Sequence, residues 1–202
     1  MTKEIRIYAE GGGDGKDTKS SFRLGLDGFL KGLKERAREK KIRWQVVACG
    51  GRGATYKAFR NAINSHPAAF NLLLVDSEEP VDKTPWLHLR ERDNWDSQGL
   101  GEEHCQLMVQ MMEAWLVVDA EALERCYGQG FRRSALPRHD DVEQVEKRSL
   151  ERSLENATKE TSKGTYHKTR HAPKILKIID TNLVRNEAKH CDRLFETIEG
   201  LL

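Results

Sequence analysis

Cysteine is scarce: four residues in a chain of 202. Cys49, Cys105, Cys126 and Cys191 form no C-x-x-C pair, so neither a zinc knuckle nor a disulfide framework is signalled, and reduced thiols in a cytoplasm fit best. No apolar run approaches the ~18 residues of a membrane span. The first residues carry Lys3, Glu4 and Arg6 where an export signal needs an apolar stretch. A soluble, unexported chain with no membrane partner is expected. A surplus of either charge is also lacking, because 34 Lys and Arg face 32 Asp and Glu for a formal charge of +2. Any attraction to nucleic acid must then be local. No internal repeat and no low-complexity tract is present.

What is there is a folded, heavily solvated chain, 38% hydrophobic and 33% charged. Its length suits one domain with an appendage. Glu4 to Ala9 alternates polar and apolar residues and runs into glycines between Gly11 and Gly15, as a strand entering a turn does. From Thr18 to Lys41 the apolar residues Phe22, Leu26, Phe29, Leu30 and Leu33 recur at helical spacing. Ile42 to Cys49 reads as a second strand, Ala54 to Ser65 as a second helix, and Phe70 to Val75 as a central strand covered on both faces. Strands alternating with helices imply an α/β fold with a mostly parallel sheet of about four strands.

Residues 79–101 read as a long irregular connection. Gln106 to Met112 is apolar at helical spacing, and Ala114 to Val118 is either a fourth strand or the end of that helix. Asp119 is placed to cap a helix over Ala120 to Tyr127, residues 140–160 form a charged helix, and a last helix spans about 183–201. The expected organisation is an α/β core over residues 1–120 and a helical C-terminal extension over 121–202 packed on it. Met108, Met111 and Met112 are read as core.

The glycine cluster fits neither phosphate-cradling pattern. The residue five before Gly15 is Glu10, and Lys16 is followed by Asp17 rather than Ser or Thr, so no Walker loop exists. Gly11, Gly13 and Gly15 are separated by single residues, so the dinucleotide pattern is absent as well. What remains is Glu10 at the end of the first strand and Asp76 with Glu78 at the end of the third. Ligands bind outside the carboxyl ends of parallel strands, and residues two apart in an extended segment share a face, so these three acids converge. Carboxylates that close repel unless a cation lies between them, and an oxygen-only site suits Mg²⁺ or Mn²⁺. The competing reading makes Asp76 and Glu78 solvated loop acids and Glu10 a helix cap. Glu113 follows the apolar run and either completes the metal site or caps a helix end.

Tyr8 to Asp14 together with Leu73 to Glu78 resembles the Toprim signature, a Glu-Gly after strand one and a D-x-D after strand three. Toprim domains occur in topoisomerases, bacterial primases and the overcoming-lysogenization-defect (OLD) nucleases. Ala48 to Arg52, Leu107 to Trp115 and Tyr166 to His171 resemble blocks of a bacterial family labelled domain of unknown function 4276. The resemblance implies a Toprim-like fold, Glu10 as general acid or base and Asp76 as a metal ligand, with Glu78 standing where the pattern has its second Asp. It further implies a nuclease, with genes of similar proteins beside ABC-type ATPases in phage-defence or mobile loci. The alternative function is a non-catalytic module that binds a partner ATPase or nucleic acid.

Hydrolysis of a phosphodiester needs cations as well as acids. Residues 161–179 hold Lys163, Lys168, Arg170, Lys174 and Lys177 with no Asp or Glu until Asp180. Lys168 is assigned to the catalytic set, and Lys163, Arg170 and Lys174 to contact with DNA or RNA. Arg52, after the Gly50-Gly51 turn, joins the nucleic-acid set at the sheet edge. The competing reading of this segment is a solvated helix start. His167 and His171 are four apart and could share a helix face as metal ligands.

Overall fold

The computed structural model describes residues 2–202, among which four strands and ten α-helices are found. β1 (Glu4–Glu10), β2 (Arg43–Gly50), β3 (Phe70–Asp76) and β4 (Cys105–Met108) form one sheet in the order β2-β1-β3-β4. Every neighbouring pair is parallel, so the fold is α/β with an all-parallel sheet. Side-chain alternation splits the core between the two faces. Ile5, Ile7, Ala9, Leu72 and Leu74 belong to one buried cluster, and Tyr8, Leu73 and Val75 to the other.

Helices cover both faces. α1 (Lys16–Phe29) and α2 (Lys31–Glu39) feed the first cluster, and α3 (Arg52–Ser65) the second through Tyr56 and Phe59. The single helix expected over residues 18–41 is therefore two, because Leu30 leaves helical dihedrals at φ −91°, ψ 18°. Leu26, Phe29, Leu30 and Leu33 are buried on both sides of the bend, so apolar spacing alone does not reveal it. The connection over 79–101 contains a helix, α4 (Pro85–Asp93), with Thr84 before it, Pro at its start and Asn94 at φ 56° closing it. It was hidden because Trp86, His88 and Leu89 make no regular apolar stripe.

The helical reading of residues 106–112 is overturned: Cys105–Met108 is β4, and the helix, α5 (Glu113–Val118), begins only afterwards. All four β4 residues are buried, and a run apolar on every side has no period to distinguish strand from helix. Met108, Met111 and Met112 are core.

The rest of the chain is helical: α6 (Ala120–Tyr127), α7 (Lys147–Thr158), α8 (Lys168–Leu176), α9 (Thr181–Glu187) and α10 (Lys189–Glu199). Asp119 caps α6, its Oδ1 accepting from the Ala122 N–H at 2.8 Å. The last helix expected over 183–201 is broken at Ala188, where φ −124° and ψ 97° are extended. These helices share the first cluster with the sheet. Phe195 meets Phe29 edge-on at 5.7 Å, Phe29 stacks on Trp115 at 5.1 Å, and Arg193 donates to the Cys105 carbonyl at 2.8 Å. α8 lies so close to α1 that a Cβ at Gly25 would stand 2.6 Å from the Pro173 carbonyl oxygen. The four cysteines are free thiols, and no helix of the described residues is long and apolar enough to cross a membrane.

Gly25→Ala must push α8 off α1 and is expected to lower stability by about 1–3 kcal/mol. Gly32→Ala, on α2 with open space around its Cβ position, should raise it by about 0.5–1 kcal/mol. Urea unfolding midpoints of the two variants check this contrast.

Candidate metal centre

β1 and β3 are hydrogen-bonded neighbours with Ala9 level with Leu74, so their carboxyl ends emerge side by side. Past β1 the chain turns at Gly11, which exchanges backbone hydrogen bonds with Gly50 at 2.9 and 3.1 Å. Gly11 has φ 140°, and a Cβ there would fall 2.5 Å from the Phe22 ring. Only glycine lets α1 seat its aromatic so close under the turn.

Glu10, Asp76 and Glu78 each offer an oxygen, and these atoms all lie within 4.8 Å of one another. Glu10 accepts the Asp76 N–H at 3.2 Å, and thus does not cap a helix. Asp76 is 2% exposed and its Oδ1 accepts the Met112 N–H at 2.9 Å. Glu78 joins by a different route from the extended alternation expected of it. It lies beyond the end of β3 at φ 73°, with its N–H donating to the Gln110 carbonyl at 2.8 Å. A left-handed bend, costly for a residue with a side chain, brings this carboxylate round.

Cations surround the acids. Lys168, the first residue of α8, places its Nζ 3.1 Å from Asp76 Oδ2 and 3.3 Å from Glu113 Oε2. Glu113, at the start of α5, is 1% exposed and accepts the Tyr166 hydroxyl at 2.8 Å through Oε1. Its Oε2 is buried against the Lys168 ammonium. Arg52 stands 3.4 Å from Glu10 and also donates to the Asp76 carbonyl. Asp93 grips Arg52 at 2.9 and 2.5 Å, and Trp95 lies under the guanidinium at 4.9 Å. Lys147 from α7 pairs with Glu78.

These surroundings shift protons. Burial, reinforced by the Asp76 carboxylate, pushes Glu10 up to about 7, against the pull of Arg52 and Lys168. Burial also raises Glu113, with Lys168 opposing and Asp76 assisting. Burial works against the Lys168 charge, but Asp76 and Glu113 more than offset it, so its ammonium is held well above the ordinary lysine range. The donor set is oxygen only, tightly grouped and partly buried, with the buried Glu113 carboxylate beside it. Such a set fits a hard divalent cation.

Of the residues singled out from sequence, Glu10, Asp76, Glu78, Glu113, Lys168 and Arg52 are brought together. Lys163, Arg170 and Lys174 are exposed and make no ion pair with these acids; Lys163 donates instead to the Cys126 carbonyl. His167 and His171 do not share a helix face, because His167 precedes α8 in extended conformation, and His171 Nδ1 is engaged by the Tyr127 hydroxyl at 2.9 Å and the His167 N–H at 3.1 Å. Sequence reasoning passed over Asp93, Trp95 and Lys147, which lie at no motif spacing from the acids and arrive only through the fold.

The chain is similar to two solved structures. One match covers 100% of this chain and 96% of the C-terminal region of the Xanthomonas campestris pv. campestris OLD protein, at 14% identity and a TM-score of 0.50. Another covers 98% of this chain and 99% of the C-terminal region of the Burkholderia pseudomallei OLD protein, at 16% identity and a TM-score of 0.50. Likeness at such identity speaks for the fold, which is Toprim-like. Comparison with curated proteins finds no match. A family model described as a domain of unknown function (DUF4276) matches residues 24–199, and the chain belongs to that family.

Proposed function

We propose that this chain is a divalent-metal-dependent phosphodiester hydrolase, a nuclease of Toprim type that uses Mg²⁺ or Mn²⁺ on DNA or RNA. The observation that carries the reading is the meeting of Glu10, Asp76 and Glu78 within 4.8 Å at the carboxyl ends of two adjacent parallel strands. A Mg²⁺ or Mn²⁺ held by these three acids, with Glu113 alongside, supplies a lowered pKa for water and offsets charge on phosphate oxygens.

The chain's own groups do the rest. Glu10 takes or returns a proton at its carboxylate. Lys168 holds Asp76 and Glu113 in place and offers positive charge to a phosphate, as does Arg52, which Asp93 orients. Lys163, Arg170 and Lys174 contact the nucleic-acid backbone. The similar structures are C-terminal regions of OLD proteins, which supports a fold that works together with a further protein region. We assign that role to an ABC-type ATPase in a cytoplasmic anti-phage or mobile-element system.

One observation favours a second reading. Arg52, Lys168 and Lys147 already pair with Glu10, Asp76 and Glu78, so the acids are balanced from within, as in a non-catalytic module that binds an ATPase or nucleic acid. Incubation with plasmid DNA and with total tRNA, in Mg²⁺ and in Mn²⁺, separates the two. The nuclease reading expects cleavage by wild type that drops at least ~100-fold in Asp76→Ala, a loss of about 3 kcal/mol or more of transition-state stabilisation. Intact nucleic acid in every tube, with partner binding unaffected by Glu10→Ala or Asp76→Ala, favours the module.

The Glu10 shift makes a second expectation. Without metal, the folded protein keeps this proton up to about 7, whereas the unfolded chain releases it near 4.5. The folded state then binds more protons across that window, and stability falls as pH rises through it. Urea unfolding in EDTA should show wild type losing about 2–3 kcal/mol relative to Glu10→Gln between these limits. Mn²⁺ affinity should climb over the same window, because the metal must displace the proton; a flat difference between the two proteins removes Glu10 as the titrating group.

A further inference from the structure

β2 is an edge strand, and its outer side forms one wall of a groove whose other wall is α1 and α2. The half of the groove nearer the metal centre is a cavity of about 330 Å³ lined by Lys16, Lys19 and Arg23 and by Gln45 to Ala48 of β2, without an acid. The other half, about 680 Å³, begins at the next residues along both walls, Leu24 and Trp44. The two halves therefore adjoin along both walls.

The second half holds five cations and two acids. Both acids are already neutralised, Asp27 by Lys34 at 2.9 Å and Glu35 by Lys31 at 3.8 Å. Lys16, Lys19, Arg23, Arg38 and Lys41 make no ion pair with any described residue, leaving a line of uncompensated charge on a chain that is nearly neutral overall. The line ends at the metal centre. A Cβ on Gly50 would lie 3.2 Å from the Lys19 Nζ, and Gly50 is the register partner of Glu10.

We infer that this groove carries the sugar-phosphate backbone of a nucleic acid along the β2 edge to Glu10, an inference that rests on the nuclease reading above. β2 runs over eight residues, so the groove follows ~23 Å of strand, the rise of about seven nucleotides in one strand of duplex DNA. Uncompensated lysines and arginines along a bare edge also discourage pairing with a strand of a second copy. The charge selects a polyanion over a neutral peptide, and the apolar floor of Leu24, Ile42 and Trp44 accepts sugar faces beneath it.

The test is binding in EDTA, where no metal supports cleavage, with a fluorescent DNA duplex of about 20 base pairs and an RNA duplex of the same sequence read by anisotropy across a salt series. Lys16→Glu/Lys19→Glu/Arg23→Glu should weaken binding at least ~10-fold and flatten the salt slope by about two to three, one per lost phosphate contact. The glutamine version of the triple, which adds no repulsion, should show the same slope change with a smaller loss. Lys163→Gln/Arg170→Gln/Lys174→Gln serves as the comparison patch and should leave the groove's share of the slope in place. Unchanged affinity and slope in both groove triples overturns the inference, as does absence of binding by wild type. A groove triple that changes sedimenting mass but not nucleic-acid affinity also overturns it, in favour of a surface between copies. Failure of the nuclease reading is read separately: no cleavage in Mn²⁺ while binding in EDTA persists and depends on the groove.

Discussion

Like charges at the sheet edge are the constraint to which the rest of this molecule answers. Four carboxylates, from Glu10, Asp76, Glu78 and Glu113, are drawn into one partly buried place, and their mutual repulsion grows as water is excluded. The chain meets it from three directions. Arg52 comes from the start of α3, Lys147 from α7 and Lys168 from α8. The two lysines belong to the C-terminal helices, so those helices do more than cover apolar surface. They supply much of the positive charge that lets the acids coexist, and the sheet edge and the C-terminal helices are electrostatically interdependent.

The packing beneath that arrangement is correspondingly tight. Gly25 lets α8 settle against α1, and Phe22 fills the space under Gly11, so the glycine turn, α1 and the first turn of α8 are in mutual contact. Thr169, next to Lys168, lies within reach of Gly13 on the same turn. Position along the sheet edge is set by backbone approach, and charge is delivered through it.

How much was legible follows from this division. The acids Glu10, Asp76 and Glu78 were visible because each ends or follows a strand whose own pattern is strong, and parallel strands bring such ends together by geometry. Lys168 was visible only as one cation among several in a basic run, since nothing local distinguishes it from Arg170 or Lys174. Asp93 and Lys147 were invisible, because their part depends on where α4 and α7 come to rest. β4 was misread as helix because burial on all sides erases periodicity, and α4 was missed because its buried residues form no stripe even though Thr84, Pro85 and Asn94 mark its ends. The left-handed turn at Glu78 had no signal at all, the residue being one that rarely adopts it.

Lys168 occupies the first position of α8, behind a His167 that provides no side-chain cap. The free N–H groups of a helix start already carry partial positive charge, so an ammonium there is opposed by about 0.3–1 kcal/mol. The acids alone make that placement tolerable. When Glu113, whose carboxyl burial raises, takes up a proton, Lys168 loses one of its two counter-charges and the first turn of α8 becomes a natural point of fraying, while the hydrophobic body of the helix stays docked on α1. The centre would thus open from its rim under acid, well before the sheet beneath it gives way.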